Sequence, residues 1–448
     1  MPSRVFISTE CTQCGGILNL EEGTNSITCP YCHSSFLVTG YDKVVSYYIP
    51  KNVGERRTVA LSLVYRYLHS LPESYRIQDL HLFYLPFYRI RGKLFHLNTE
   101  SVSGDCMDDA SGYRPCEVKT RYLERSFLAS QLEGLAMYSL GVRTSVLRLN
   151  LFERKKLEGE GKIYPVTLNV DKAMEIGLGV YAREEPDQCV ISKILSIVYA
   201  PFWEVNVGGR TAHFSIVIDG LGEEIVQERA PYQFLTTNCK KDGGEILPTI
   251  TFQALACPNC GWDLVARPEY SVFICTTCHR AWESGPQGFQ EAQGSMVQVD
   301  SGDQLSRVQY LPFWVLSARG GYFSSGSKSP GEGKFFIPAF KVRDLMVIYK
   351  LATAFTLKQP ELTLVPLSGD IPGVQMEGAV MRQGDACELA RFVYSTLADT
   401  SSREELWKKP PSWEIVLKEL VWFPFYEKGI FLRDALFNIG IQKGKIEV

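Results

Sequence analysis

The sequence lacks any long apolar segment and any export signal. None of its 448 residues belongs to a run of about 20 apolar residues, the length that a membrane-spanning helix needs. The two most apolar segments, residues 190–203 and 413–426, are both interrupted by charged side chains. The first residues show no charged region followed by a long apolar stretch, which a secretory signal would require. We therefore expect a cytoplasmic protein with no transmembrane segment.

The sequence also lacks an excess of charge of either sign. Its 47 Lys and Arg residues nearly balance its 50 Asp and Glu residues, and the formal net charge is -3. Neither half of the chain is a basic block, so recognition of a partner through its phosphates is not favoured. Basic residues outnumber acidic ones in the stretch 51–156, which includes Arg89, Arg91 and Lys93. This stretch keeps nucleic-acid binding open as an alternative.

Residues that carry enzyme chemistry are few and scattered. The six histidines form no H-E-x-x-H motif or comparable metal motif. No set of nucleophile, base and orienting residue can be assembled from the order of residues along the chain. We therefore expect a protein that is not an enzyme.

Cysteine, in contrast, is abundant. The chain has 13 cysteines, and eight of them form two sets of C-x-x-C pairs with the same spacing. The first set is Cys11, Cys14, Cys29 and Cys32, and the second is Cys257, Cys260, Cys275 and Cys278. In a reducing cytosol, close cysteine pairs favour metal binding over structural disulfides. Two such pairs can place four thiolates at tetrahedral positions around one ion, so the sequence predicts two Zn²⁺ ions per chain.

The residues between the pairs predict a hairpin with a polar tip in each set. This pattern resembles the zinc-ribbon superfamily, including the transcription-factor-IIB type and the rubredoxin-like arrangement of knuckles. The resemblance implies a structural metal in two short modules. The rest of the chain loosely resembles uncharacterised bacterial zinc-ribbon proteins that carry similar Pro-Phe phrases.

Other metal chemistries fit the same residues. A Cys₄ site also accepts iron, which would imply a redox role. The C-x-x-C-H segments that end at His33 and His279 match the attachment motif of c-type haem, although haem would leave the other cysteine pairs without a role. Catalytic zinc is disfavoured because four cysteines close the coordination sphere. We expect His33 and His279 to lie outside the ligand sets.

A second repeated element is an aromatic phrase that contains Pro-Phe. It occurs at residues 84–88 (YLPFY), 199–203 (YAPFW), 310–314 (YLPFW) and 422–426 (WFPFY). Pro86 and Pro201 are 115 residues apart, and Pro312 and Pro424 are 112 residues apart.

The surroundings of each phrase predict a strand, a bend at the proline, a strand, a glycine turn and another strand. Since proline donates no hydrogen bond, we expect it at a sheet edge or a bulge. The aromatic side chains are interpreted as core, with a surface for a peptide or stacked bases as the alternative.

Together these patterns predict an α+β fold that is internally duplicated. It consists of two Cys₄ zinc ribbons and four related small modules, each built from an antiparallel sheet and a helix. Apolar periodicity predicts helices at residues 60–71, 126–140, 171–180, 342–356 and 386–397. The predicted boundaries are 1–40 for the first ribbon, 41–125 for an α+β module, 126–245 for a helix and a second module, 246–290 for the second ribbon, 291–340 for a β module, and 341–448 for a helix and the last α+β module.

These observations favour a non-enzymatic, zinc-stabilised scaffold or adaptor that mediates protein–protein interaction in a prokaryotic cytoplasmic complex. One alternative is a nucleic-acid-binding zinc-ribbon protein of transcription or replication, and another is a redox or catalytic metalloprotein. Cys106 and Cys116 flank a polar loop that could hold a labile disulfide or a further metal. The sequence predicts neither the identity of the protein partner nor the oligomeric state.

Overall fold

The computed structural model describes residues 6–50, 53–97, 118–132, 134–135, 139–140, 148–179, 188–239, 249–298, 308–319, 332–367, 375–397 and 414–447. The loop between Cys106 and Cys116 lies outside these ranges. The described part is a mixed α+β structure that is mostly strands, with six helices. None of these helices is long and apolar enough to cross a membrane.

The helices are α1 Val53–His69, α2 Arg154–Glu160, α3 Val170–Leu178, α4 Phe234–Asn238, α5 Leu345–Lys358 and α6 Gln383–Leu397. The strands that precede α4 are β1 Phe6–Glu10, β2 Ile17–Glu21, β3 Ser26–Thr28, β4 Ser35–Thr39, β5 Val45–Tyr48, β6 Tyr75–Leu97, β7 Val118–Leu128, β8 Arg148–Leu151, β9 Lys162–Ile163, β10 Gln188–Gly209, β11 His213–Asp219 and β12 Glu224–Ala230. The later strands are β13 Thr251–Ala254, β14 Val272–Ile274, β15 Ala281–Gly285, β16 Gly288–Ala292, β17 Gly294–Val297, β18 Val308–Arg319, β19 Glu332–Pro338, β20 Leu364–Pro366, β21 Gln375–Met376, β22 Glu414–Lys428, β23 Phe431–Asp434 and β24 Gly440–Gln442.

The first large sheet is built around two long antiparallel strands, β6 and β10. Their register places Pro86 opposite Tyr199 and Tyr84 opposite Pro201, so the first two aromatic phrases cross each other. On its outer side β6 pairs with β9 and then β7, and β10 pairs with β5 and then β11. Strand β12, which pairs with β11, and strands β8, β1 and β2 beyond β5 extend the sheet to ten strands.

The second large sheet has the same central arrangement in eight strands. Strands β18 and β22 are antiparallel, and their register places Tyr310 opposite Pro424 and Pro312 opposite Trp422. On its outer side β18 pairs with β21 and then β19, and β22 pairs with β17 and then β23. The four phrases therefore lie in two shared sheets rather than in four small separate ones, because each phrase strand is long enough to pair with the next phrase strand along its length.

The four prolines lie inside these sheets, so the expectation of an edge or a bulge was wrong. Each proline lies at the point where one outer neighbour ends and the next begins, and a missing N–H costs no ladder bond there. For example, β9 pairs with β6 at Phe83 and Tyr84, and β7 pairs with it from Phe87 onward. The proline carbonyls are all used: Ala129, Gly220, Ala339 and Ala435 donate their backbone N–H to Pro86, Pro201, Pro312 and Pro424 at 2.8–3.0 Å.

Four of the five predicted helices are present, as α1, α3, α5 and α6. The helix predicted at residues 126–140 is wrong. Strand β7 continues to Leu128, which pairs with Phe87, and the described residues that follow form no helix. Pairing with β6 takes residues 126–128 into strand β7, and there this tertiary contact outweighs the helical periodicity.

The aromatic phrases form the core, as the sequence predicted. Phe87, Phe202, Phe313 and Phe425 are fully buried, and so is nearly every other ring in the phrases. Trp314 and Trp422 are also buried, and their indole N–H groups donate to the carbonyls of Met381 and Glu377, each at 2.8 Å. Such burial is the behaviour of core aromatics rather than of an open binding surface.

Candidate metal centres

The eight paired cysteines form four turns, or knuckles, with one backbone geometry. In the first, the N–H of Gly15 donates to Cys11 O at 2.8 Å, and Cys11 N donates to Gly16 O at 2.8 Å. The same two bonds recur in the knuckles that begin at Cys29, Cys257 and Cys275, at 2.8–3.0 Å. These bonds turn both thiols of a pair toward one point.

Each pair of knuckles brings four sulfur atoms together. The ligand atoms of Cys11, Cys14, Cys29 and Cys32 lie within 4.8 Å of one another, and those of Cys257, Cys260, Cys275 and Cys278 do the same. The shortest Sγ–Sγ distances are 3.8 Å in the first group and 3.5 Å in the second. All eight thiols are free, and these distances exclude disulfides.

The sulfur geometry fits a tetrahedral metal ion. A tetrahedron with Zn–S bonds of about 2.3 Å has sulfur–sulfur edges of about 3.8 Å. Each group could therefore hold one metal ion, and a set of four thiolate ligands suits zinc. Since all four ligand positions are protein thiolates, the site leaves no open position of the kind that catalytic zinc uses.

Both groups have the same pattern of burial. The first and third cysteines of each set are buried, the second is exposed and the fourth is intermediate. The hydroxyl and the backbone N–H of Ser34 lower the pKa of Cys32 to about 6. Burial acts against ionisation of Cys278, but hydrogen bonds from Arg280 and Asn259 outweigh it and lower the pKa to about 7. Thiolates are the metal-binding form, so each centre contains one cysteine prepared for metal near neutral pH.

His33 and His279 have a backbone role that the sequence did not reveal. Each follows the second cysteine of its knuckle and has a left-handed backbone, with φ of 59° and 56°. Gly15 and Gly261 occupy the same position in the other two knuckles, with φ of 72° and 73°. Histidine tolerates this conformation better than most residues, although glycine is the usual choice. Neither histidine belongs to the ligand groups.

We call residues 6–39 the first ribbon and residues 251–292 the second ribbon. The first knuckle closes the β1–β2 hairpin, and the second closes the β3–β4 hairpin. In the second ribbon, the third knuckle is bracketed by a bridge between Ala256 and Asp263, and the fourth closes the β14–β15 hairpin. The hairpins predicted between the cysteine pairs are thus placed differently, because the knuckles themselves are the hairpin turns.

The two ribbons are joined although their first cysteines are 246 positions apart in the sequence. Strand β13, which leads into the second ribbon, pairs antiparallel with β4 of the first, from Thr251 opposite Thr39 to Ala254 opposite Phe36. Leu37 of the first ribbon lies in one buried cluster with Cys257 and Cys275. The spacing of cysteines contained no signal for this contact.

A buried ionic network ties the first ribbon to the large sheet. The side chains of Glu22 and Arg89 are both fully buried and form an ion pair. Arg91 also pairs with Glu22, at 3.1 Å, and Arg89 also pairs with Glu124, at 2.9 Å. Burial alone would raise the pKa of Glu22, but the charges of Arg89 and Arg91 hold it below the ordinary value. These two guanidinium groups are therefore committed to carboxylates inside the protein.

A cleft of about 1050 Å³ is lined by both ribbons, by the first large sheet, and by helices α5 and α6 of the second half. Its lining includes Lys93 on β6 and Asp385 at the start of α6. Asp385 accepts a hydrogen bond from the backbone N–H of Ser192 at 3.0 Å, which links the two halves of the chain. Burial lowers the pKa of Lys93. The negative charge of Asp385 acts against this shift, and the positive charge of Lys341 adds to it. The cleft is lined by apolar surface together with charged side chains of both signs.

The other described cysteines, Cys189, Cys239 and Cys387, are free thiols outside both groups. Burial raises the pKa of each of them, so they are poor nucleophiles and poor ligands. Cys106 and Cys116 lie outside the described residues. Comparison with protein-family models, with curated proteins and with solved structures finds no match to this chain.

Proposed function

We propose that the protein is a non-enzymatic, zinc-stabilised scaffold or adaptor in a prokaryotic cytoplasmic complex, and that its ribbons bind a protein partner. The observation that supports this is a large exposed aromatic side chain at each metal centre. Tyr31, between Cys29 and Cys32, is 63% exposed, and Trp262, two residues after Cys260, is 61% exposed. Aromatic side chains are enriched among the residues that dominate binding energy at protein interfaces.

Zinc has a structural role in this proposal. Metal binding supplies the free energy that orders the four knuckles, since each ribbon has little core of its own. The knuckles then hold Tyr31 and Trp262 at fixed positions, which lowers the entropic cost of binding through them.

The partner experiment compares surface variants in the full-length protein. Tagged wild type is purified from the native host, its stoichiometric partner is identified by mass spectrometry, and the complex is rebuilt from purified components. We expect Tyr31→Ser and Trp262→Ser to weaken the rebuilt complex at least tenfold. Ile430→Ser is the matched control, because Ile430 is equally exposed, at 63%, but lies far from the metal groups in the sequence. Equal affinity for all four proteins would contradict the proposed surface.

We further infer that the chain arose by duplication of a ribbon with two modules. The supporting observation is a shared set of contacts in the second module of each half. Asp219 lies opposite Phe202 and Asp434 lies opposite Phe425. Both aspartates are buried and accept backbone N–H bonds from the residues two and three positions later. Asp219→Ala and Asp434→Ala should therefore give similar losses of stability, and a large difference would argue against equivalent roles.

Nucleic-acid binding is the alternative, and it relies on the basic stretch 51–156. Arg89 and Arg91 of this stretch are paired with Glu22 and Glu124, which leaves fewer cations to contact phosphates. Gel shifts with single- and double-stranded probes over a salt series test it, because phosphate contacts produce a steep loss of affinity with salt. No shift at low salt would remove this alternative.

A second candidate function is binding of a small polar molecule in the central cleft. It is favoured by the buried side chain of Ser284, which lines the cleft and whose Oγ has no hydrogen-bond partner among the described residues. Thermal-shift assays with polyols, amino acids and nucleotides test it. We expect one class to raise the melting temperature of wild type and of the surface variant Thr28→Ala, but not of Ser284→Ala. No shift with any class would remove this candidate.

A further inference from the structure

Strand β4 lies between the two metal centres and contributes to the packing of both. Phe36 and Val38 belong to the buried cluster that contains Cys11 and Cys29 of the first centre. Leu37 belongs to the cluster that contains ligands of the second centre. Since neighbouring residues of a strand point to opposite faces, β4 contacts one centre with each face.

Backbone hydrogen bonds reach across the ribbons close to the ligands. Leu255, two residues before Cys257, donates its N–H to the carbonyl of Ser35 at 3.1 Å. Ser35 is itself the residue that follows the second knuckle of the first ribbon. A movement of the second knuckle would therefore be transmitted to the third knuckle through this hydrogen bond and strand β4. A movement of the third knuckle would be transmitted back in the same way.

A second contact lies on the neighbouring strand β3. Asn25 donates its N–H to the carbonyl of Pro268 at 2.7 Å, and the buried hydroxyl of Ser26 donates to the carbonyl of Arg267 at 2.8 Å. Pro268 and Arg267 belong to the segment between the third and fourth knuckles. The second ribbon is thus bonded to the first ribbon on both sides of the third knuckle.

Metal binding and folding are linked in modules of this kind, because the ligands are brought together only in the folded chain. If the first ribbon is already ordered, strands β3 and β4 are available as a template, and the second ribbon loses less conformational entropy when it closes around its metal. The same argument holds in reverse, since a coupling free energy between two sites is reciprocal.

We propose that the two metal centres bind zinc cooperatively, through the contacts of β3 and β4 with the second ribbon. This inference rests on the proposed structural zinc and adds a coupling between its two sites. Allosteric couplings typically amount to factors of about 5–150 in affinity. From a paired strand, three further hydrogen bonds and a shared apolar cluster, we expect each zinc to tighten the binding of the other about tenfold or more.

The experiment removes one centre at a time by changing its exposed cysteine. Cys14→Ser disables the first centre and Cys260→Ser disables the second, and these two residues occupy equivalent positions with equivalent burial. Zinc affinity of the remaining site is measured by competition with a chromophoric chelator and compared with stepwise binding to wild type. We expect each single variant to bind its remaining zinc about tenfold more weakly than wild type binds zinc at the same site. The loss of affinity should be the same factor in both variants.

Two further variants test whether the coupling runs through the ribbon contact. Ser26→Ala removes the hydroxyl bond to Arg267, and Leu37→Ala removes the apolar side chain that reaches the second centre; both should reduce the coupling factor in a full-length protein that still binds two zinc ions. Ser62→Ala is the matched control, because Ser62 lies on α1 outside both ribbons and its exposed hydroxyl donates to Thr58 O within the same helix. If Leu37→Ala fails to fold, Ser26→Ala still decides the question.

Hydrogen exchange gives a second readout that does not depend on affinity. Zinc added to apo Cys260→Ser, which fills only the first centre, should also raise protection in β13 of the second ribbon. Independent sites, with equal affinity in wild type and in both single variants and no protection across the ribbons, would overturn the coupling but leave structural zinc intact. Failure of either centre to bind zinc would instead overturn the proposed metal role itself.

Discussion

Replacement of Arg89 by methionine should loosen the first ribbon against strand β6, while β1 and β2 remain strands of the large sheet. Arg89 is fully buried and donates to Glu22 and to Glu124, with Nε and one Nη at 3.0 and 2.9 Å from Glu124 Oε1. Methionine has a similar length and no charge, so Arg89→Met leaves the buried Glu22 carboxylate with Arg91 as its remaining cation. Removal of one partner of a buried pair typically costs about 3–5 kcal/mol, because the other charge stays desolvated.

The assay is native-state hydrogen exchange on the metal-loaded protein, which gives the free energy of opening segment by segment. We expect this free energy to fall by about 3–5 kcal/mol in β2, which ends one residue before Glu22, and to change little in α5 and α6. Arg91→Met is the comparison variant, since the Arg91 side chain is 14% exposed and its loss leaves Glu22 paired with Arg89; it should cost clearly less than Arg89→Met. A loss below about 1 kcal/mol for Arg89→Met would refute the claim that this pair anchors the ribbon.

The same pair makes a prediction about pH. Because the pKa of Glu22 is lower in the folded protein than in the unfolded chain, its contribution to stability is complete above the ordinary glutamate pKa of about 4.3 and is lost as pH falls through the folded pKa. The difference in opening free energy between wild type and Glu22→Gln should therefore be constant near neutral pH and shrink in acid. A difference that grows in acid would contradict the assigned charge state.

Three further outcomes follow from the packing and the backbone. Phe313→Ala should cost about 3–5 kcal/mol in urea unfolding, because this fully buried ring contacts several other phenylalanine rings; a loss below about 1 kcal/mol would speak against a core role. His33→Gly should keep two metal ions per chain by elemental analysis and leave the melting temperature equal or higher, since glycine suits φ of 59°; loss of one metal would make His33 a ligand after all. Gly40→Ala should lower the melting temperature clearly more than Gly15→Ala, because a Cβ at Gly40 would lie 2.6 Å from the carbonyl oxygen of Thr249, whereas a Cβ at Gly15 meets nothing within 4 Å; equal effects would contradict the close approach of the segments that flank the two ribbons there.

The metal groups and most helices could be predicted because their signals are local. A C-x-x-C pair fixes both ligands within one turn, and amphipathic periodicity marks α6 through residues such as Leu389 and Val393. The start of the helix predicted at 126–140 is instead the end of strand β7, because residues 126–128 pair with β6, and this pairing joins residues such as Phe87 and Leu128 that lie far apart in the sequence.

Long-range contacts also explain what the sequence did not show about the site. The partner of Glu22 is 67 positions away, and Leu37 meets the second metal centre more than 200 positions later in the chain. Burial removed Arg89 from the set of basic residues that could face a nucleic acid, although the sequence places it beside Arg91 and Lys93 in an apparently basic stretch. Composition reports that a charge is present, but only the fold shows which charge neutralises it.

The account depends most directly on the metal, so the decisive measurement is the metal content of the purified protein together with its visible absorption spectrum. We predict two zinc ions per chain in a colourless protein, because zinc–thiolate centres do not absorb in the visible range. Iron with a coloured spectrum would contradict structural zinc and favour a redox protein. A wild-type chain that retains its fold and its ribbon protection with no metal bound would contradict the account of both centres.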